Sequence, residues 1–174
     1  MISCLQGLIG FSVNVSGAVS SGLYCDALPD ISESYLTKLV TDETDAKALY
    51  AEIEKRAILK FRTLFIRQLN ETHKVNNIDA CTCLICENKE LLATALWYLI
   101  GSEIMYTRAN SSRLNAYTTI DKKKVSEMRE ELYAACQKEL EIAVNSINIH
   151  SSACFTCEDN IRENDVITFH EPVI

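Results

Sequence analysis

Leu49, Ile53, Ala57, Phe61, Phe65 and Leu69 follow one another at intervals of four, the spacing of one buried face of an α-helix. Thr41 or Asp42 can cap its start, Asp42, Glu43 and Asp45 stand where the helix dipole favours negative charge, and Lys74 lies at the other end. The spacing predicts a helix over 43–74, about 48 Å long at 1.5 Å per residue. In a chain of 174 residues this implies an elongated bundle or a partner. The segment Asn76–Cys86 breaks the pattern. Helix resumes over 87–110, with Leu92, Ala95, Leu96, Leu99 and Tyr106 on one face, and a polar connection follows through Arg108–Thr119. Asp121 can cap a last helix over 121–149 that carries Val125, Met128, Leu132, Cys136, Ala143 and Ile147. A short helix from Ser32 to about Val40 precedes them all.

Outside the helices the period changes. Gly10–Ser16 alternates Phe11, Val13 and Val15 with Ser12, Asn14 and Ser16, as a half-buried strand does. Pro29 biases Leu28 away from helix. Asp165–Ile174 is β-branched and aromatic with Pro172 near its end, which suits an edge strand or a tail laid on a neighbour. The expected fold is therefore mainly α: an elongated bundle of three long helices and one short one over 32–149, between extended arms 1–31 and 150–174 that can form short strands. Phe11, Val13, Val15, Leu23 and Tyr24 in the first arm, and Val166, Ile167 and Phe169 in the second, are the candidate contacts with other subunits or partners. Leu64, Ile66, Leu91, Trp97 and Tyr98 lie off the best core faces, and a second apolar stripe favours self-association.

Charge sharpens the division. The chain carries a formal −7; residues 1–37 hold Asp26, Asp30 and Glu33 with no base, and residues 150–174 hold Glu158, Asp159, Glu163, Asp165 and Glu171 against Arg162 alone. The bundle between them is neutral, so no basic stripe is present to neutralise phosphates. No stretch approaches the length of a membrane span, and the absence of Lys or Arg before Lys38 argues against a secretory signal. Eight cysteines beside long helices then read as reduced thiols in a cytoplasm rather than as a disulfide scaffold.

Two cysteine groups bear on chemistry: Cys81, Cys83 and Cys86 in one, Cys154 and Cys157 in the other. Each Cys-x-x-Cys pair can clamp one side of a tetrahedral zinc, although knuckle glycines and flanking bases are missing and buried or loop thiols are the plainer reading. Zinc is thus the one cofactor with any support, and a zinc-stabilised module that binds a protein partner through its tail is the alternative function. Neither pair opens a helix after a strand, as thioredoxin-like chemistry requires. His73, His150 and His170 accompany no nucleophile motif, and no phosphate loop is present. An enzyme is not expected. Glu103, Arg108 and Arg113 can pair at a subunit boundary, though solvated helix-end charges explain them more simply.

The run Ser21-Gly22-Leu23-Tyr24-Cys25-Asp26-Ala27-Leu28-Pro29-Asp30-Ile31-Ser32, the long helix after it, then Trp97-Tyr98 with Gly101 and Glu103, then Arg113-Leu114-Asn115, resembles the head-tail connector (head-completion or neck adaptor) proteins of tailed bacteriophages. The resemblance spans most of residues 20–148. It implies a structural virion protein, assembled in the host cytoplasm as a homo-oligomeric ring, commonly of twelve copies, that joins the portal to tail or neck proteins. DNA would pass through it only in transit, with no membrane and no active site. On this reading, removing residues 1–20 should abolish ring assembly and spare helicity.

Overall fold

The computed structural model describes residues 3–9, 43–75, 78–110 and 122–155. Those residues form a mainly α fold of four helices: α1 Glu43–His73, α2 Ile78–Glu87, α3 Lys89–Asn110 and α4 Lys122–Ser146. Single 3₁₀ turns stand at Ser3–Leu5, Ile149–Ser151 and Ala153–Phe155. The expected helix at 32–40 and the expected strands at 10–16 and 165–174 lie outside the described residues.

The three long helices have the boundaries the periodicity predicts, to within a few residues. In α1 the predicted face is buried from Ile53 to Leu69, and Ile58, Leu64 and Tyr50 widen it. The helix ends as Lys74 enters the left-handed region (φ 59°) and its N–H bonds back to the Asn70 carbonyl at 3.0 Å, a cap that satisfies one of the orphan carbonyls of the last turn. Further on, α3 is buried on nearly every side, from Leu92 through Met105, as befits a central helix. Its predicted face holds except at Tyr106, which is 39% exposed. In α4, Val125, Cys136, Leu140, Ala143 and Val144 are buried, with Met128 and Leu132 packed beside them.

Side-chain pairs fix the directions. Arg56 and Lys60 of α1 meet Thr107 and Glu103 of α3, so the two run antiparallel. The Ser102 hydroxyl donates to the Arg129 carbonyl of α4 at 3.3 Å, and His73 Nε2–H donates to the Val144 carbonyl at 3.0 Å. Hence α1 and α4 run parallel to each other and antiparallel to α3.

The segment expected to interrupt the helices is itself helical. Cys81, Leu84 and Ile85 form a compact buried face on α2, which dispersed polar residues around it hide from a periodicity reading. Asn88 alone separates α2 from α3: its N–H bonds to the Leu84 carbonyl at 3.0 Å, and the Leu92 N–H to the Asn88 carbonyl at 3.1 Å. The short helix of the described bundle is therefore 78–87.

Residues 3–9 also depart from the expectation of an arm. Leu5 and Ile9 are buried in the core with the helices. The Tyr50 hydroxyl donates to the Ile9 carbonyl at 2.8 Å, and the Gly7 N–H donates to Glu54 at 2.8 Å. Gly7 holds φ +69°, which glycine adopts without the Cβ penalty, and so turns the chain back onto α1. Residues 3–9 belong to the bundle, so removing 1–20 would strip the core as well as any arm. No helix among the described residues is long and apolar enough to cross a membrane.

Candidate functional site

Two sites stand out, one at each end of the bundle. The first is built on α2. Its buried residues Cys81, Leu84 and Ile85 face the core, and Cys83 and Cys86 share the opposite side, three residues apart. Each is in a disulfide with a different terminal segment: Cys86 with Cys4 and Cys83 with Cys154, the Cα atoms 5.6 and 5.7 Å apart. The α2 helix is thus held between the bundle and the two chain ends. The Ser152 hydroxyl, itself buried, donates to the Glu87 carboxylate and accepts from the Cys154 N–H at 3.1 Å, which orders the turn that presents Cys154.

These bonds overturn the expectation of reduced thiols and bear on the zinc reading. The cysteines are not uniformly reduced: only Cys81 and Cys136 are free among the described residues. The proposed zinc set of Cys81, Cys83, Cys86, Cys154 and Cys157 is not assembled either. Zinc requires thiolates, and Cys83, Cys86 and Cys154 are consumed in disulfides, while Cys157 lies outside the described residues. Spacing alone missed this, because two cysteines on one helical face reach as easily to separate partners on either side as to a shared metal. Burial pushes the Cys136 thiol up to about 12. Burial also raises Cys81, opposed by a hydrogen bond within its own backbone and by the nearby Arg62 charge. Both are inert core thiols rather than nucleophiles.

The second site lies toward the C-terminal end of α3. Glu103, whose side chain is 3% exposed, accepts from Arg56 Nε and Lys60 Nζ, each at 2.6 Å. Arg56 also donates to Thr107 Oγ1 at 2.8 Å, and that hydroxyl donates to the Glu103 carbonyl at 2.9 Å. Above this lies Tyr106. Its ring centre is 5.6 Å from the Arg56 guanidinium, 5.7 Å from Lys60 Nζ and 4.9 Å from the Arg129 guanidinium of α4. Glu103 is therefore not a solvated charge; it is a buried anchor that draws α1 to α3. Three cations from two helices surround one exposed aromatic ring, and one carboxylate offsets them.

Elsewhere, His73, Val75, Ile147, Asn148, Ile149 and His150 line a partly open groove of about 290 Å³ between the ends of α1 and α4. His73 is spent on the Val144 carbonyl and so serves the packing of those ends. Of the second apolar stripe, Leu64 is buried, and Ile66, Trp97 and Tyr98 pack against the core. Leu91 is exposed, as are Leu59 and Ile142. The arm contacts Phe11, Val13, Val15, Leu23, Tyr24, Val166, Ile167 and Phe169, and with them Arg113 and His170, lie outside the described residues. Compared with family models, with curated proteins and with solved structures, the chain finds no match.

Proposed function

We propose that this chain is a structural subunit, a head-tail connector that assembles as a ring between the portal of a tailed phage and its tail or neck proteins. The observation that carries the reading is the fastening of both chain ends to one helix. Cys4 and Cys154 are linked to α2, and Leu5 and Ile9 are sunk in the core, so each terminal segment has a fixed root on the bundle. A segment that binds a neighbour transmits its load to that root. A root tied by a covalent bond and by buried apolar side chains keeps the bundle from being pulled apart.

The mechanism is assembly. Phe11, Val13, Val15, Leu23 and Tyr24 at one end, with Val166, Ile167 and Phe169 at the other, supply contacts to adjacent copies or to neck proteins. A strand added to a neighbour contributes main-chain hydrogen bonds as well as side-chain contacts. A closed ring requires two different complementary faces on each copy, which separate terminal arms can provide. The neutral bundle suits a channel that passes DNA without holding it.

The test is the absolute mass of the purified protein by light scattering across a concentration series, alone and with a phage portal ring. A ring-sized species, alone or on the portal, supports the reading. A chain that remains monomeric under both conditions overturns it.

A further inference from the structure

We propose that the basic and aromatic patch around Tyr106 receives the acidic C-terminal segment of a second copy of this chain. The inference deepens the ring reading and rests on it for the presence of the second copy. Arg56, Lys60 and Arg129 converge on one ring, and among the described residues only Glu103 of the groups that bond them carries negative charge. Like charges gathered this closely repel, and the remaining surplus of two positive charges is offset by an anionic partner. Arg56 and Lys60 keep 40% and 47% of their side-chain surface exposed, so they can bond outward while holding Glu103. Tyr106 offers an exposed ring beside them, suited to an extended peptide with carboxylates on both sides of apolar residues.

The chain itself contains such a peptide. Glu158, Asp159, Glu163 and Asp165 precede Val166, Ile167 and Phe169 and Glu171 follows them, with Arg162 the only Lys or Arg in the run. Reach bears on how much of it a single copy can offer to its own patch. The described chain reaches Phe155, and Cys154 is tied to the side of α2 opposite the core. Tyr106 lies 17 residues beyond Lys89, at the start of α3, or about 25 Å along that helix. The five residues from Cys154 to Asp159 span at most about 18 Å fully extended. The backbone to the first acidic pair falls short of that distance and the about 30–40 Å to Glu163 and Asp165 does not, so a neighbour rather than the same copy can present the whole run. Tail root and patch sit at opposite ends of the bundle, and a contact joining unlike ends of successive copies is the heterologous kind that builds rings.

The experiment adds a fluorescent synthetic peptide of residues 156–174 to the full-length oxidised protein and follows anisotropy, with scattering mass measured on the same samples. Saturable binding is expected, weakened at least tenfold by Arg129→Glu and by Tyr106→Ala, with helical circular dichroism unchanged. A peptide with Glu158, Asp159, Glu163 and Asp165 changed to lysine should fail on the native chain. Equal binding to the native and Arg129→Glu proteins, or none to the native protein, overturns the inference. So does a DNA duplex that binds the patch and is not displaced by the peptide. A ring whose mass and peptide binding ignore Arg129→Glu refutes the patch and leaves the connector reading standing. Patch-dependent peptide binding by a chain that stays monomeric even with portal overturns the connector reading and, with it, the second copy as the occupant, leaving the tail as the patch's ligand within one copy.

Discussion

A carboxylate with 3% of its side chain exposed is held by two cations that are 40% and 47% exposed, and this asymmetry decides what each substitution costs. Removing the cations leaves a buried charge without compensation, whereas removing the charge leaves cations that can turn to water. Arg56→Ala with Lys60→Ala should therefore lower stability by about 3–5 kcal/mol, and Glu103→Gln by only about 1–3 kcal/mol, measured by urea unfolding at neutral pH. Cys136 gives a second residue-level expectation. Its folded thiol sits near 12 against an ordinary 9.0, so the folded chain keeps a proton that the unfolded chain gives up. The associated stability is complete below about pH 9 and is lost as pH rises toward 12. Cys136→Ala should flatten the pH dependence of the unfolding midpoint over that window; an unchanged slope would refute the assignment.

At the scale of the element, α2 bears the most on stability. Its two disulfides close loops with sequence separations of 82 and 71 residues. In the chain-entropy account each constrains the unfolded chain by about 4–5 kcal/mol when considered alone. Reduction should lower the unfolding midpoint sharply while leaving helical circular dichroism nearly intact, because the buried faces of α1, α3 and α4 do not depend on sulfur. The two bonds should also differ in lability. Cys83 is exposed, whereas Cys4 and Cys86 are both half-buried, so limiting dithiothreitol should open Cys83–Cys154 first. Peptide mapping after partial reduction and alkylation reads the order, and earlier opening of Cys4–Cys86 would contradict it. The α2 helix was hidden from the periodicity reading because its apolar face is only one turn long. The three long helices were legible because four or more turns repeat the same spacing.

For the whole molecule the question is how copies join. Deleting residues 1–20 no longer isolates an arm, since Leu5 and Ile9 are part of the core and Cys4 is cross-linked. Burial of two such side chains is worth about 1.5–3 kcal/mol each. The cleaner variant keeps residues 3–9 and places charge on the arm, as Val13→Asp with Val15→Asp. It should abolish the ring-sized species in light scattering and leave the unfolding free energy within about 0.5 kcal/mol of the native chain. A ring of unchanged mass would remove the first arm from the assembly.

The sequence by itself determined the mainly α class and the placement of α1, α3 and α4, because an amphipathic period sustained over many turns has one economical solution: apolar faces turned inward together. Only the tertiary structure decided the rest. Leu5 and Ile9 read as an arm until the bundle offered them a core to enter. Glu103 read as a helix-end charge until Arg56 and Lys60, more than forty residues away in the chain, converged on it. Cys83 and Cys86 read as reduced thiols, with a metal clamp as the alternative, until each met a cysteine from a different terminal segment. Local spacing constrains which side chains share a face, but the partner each finds across the fold depends on how the helices pack.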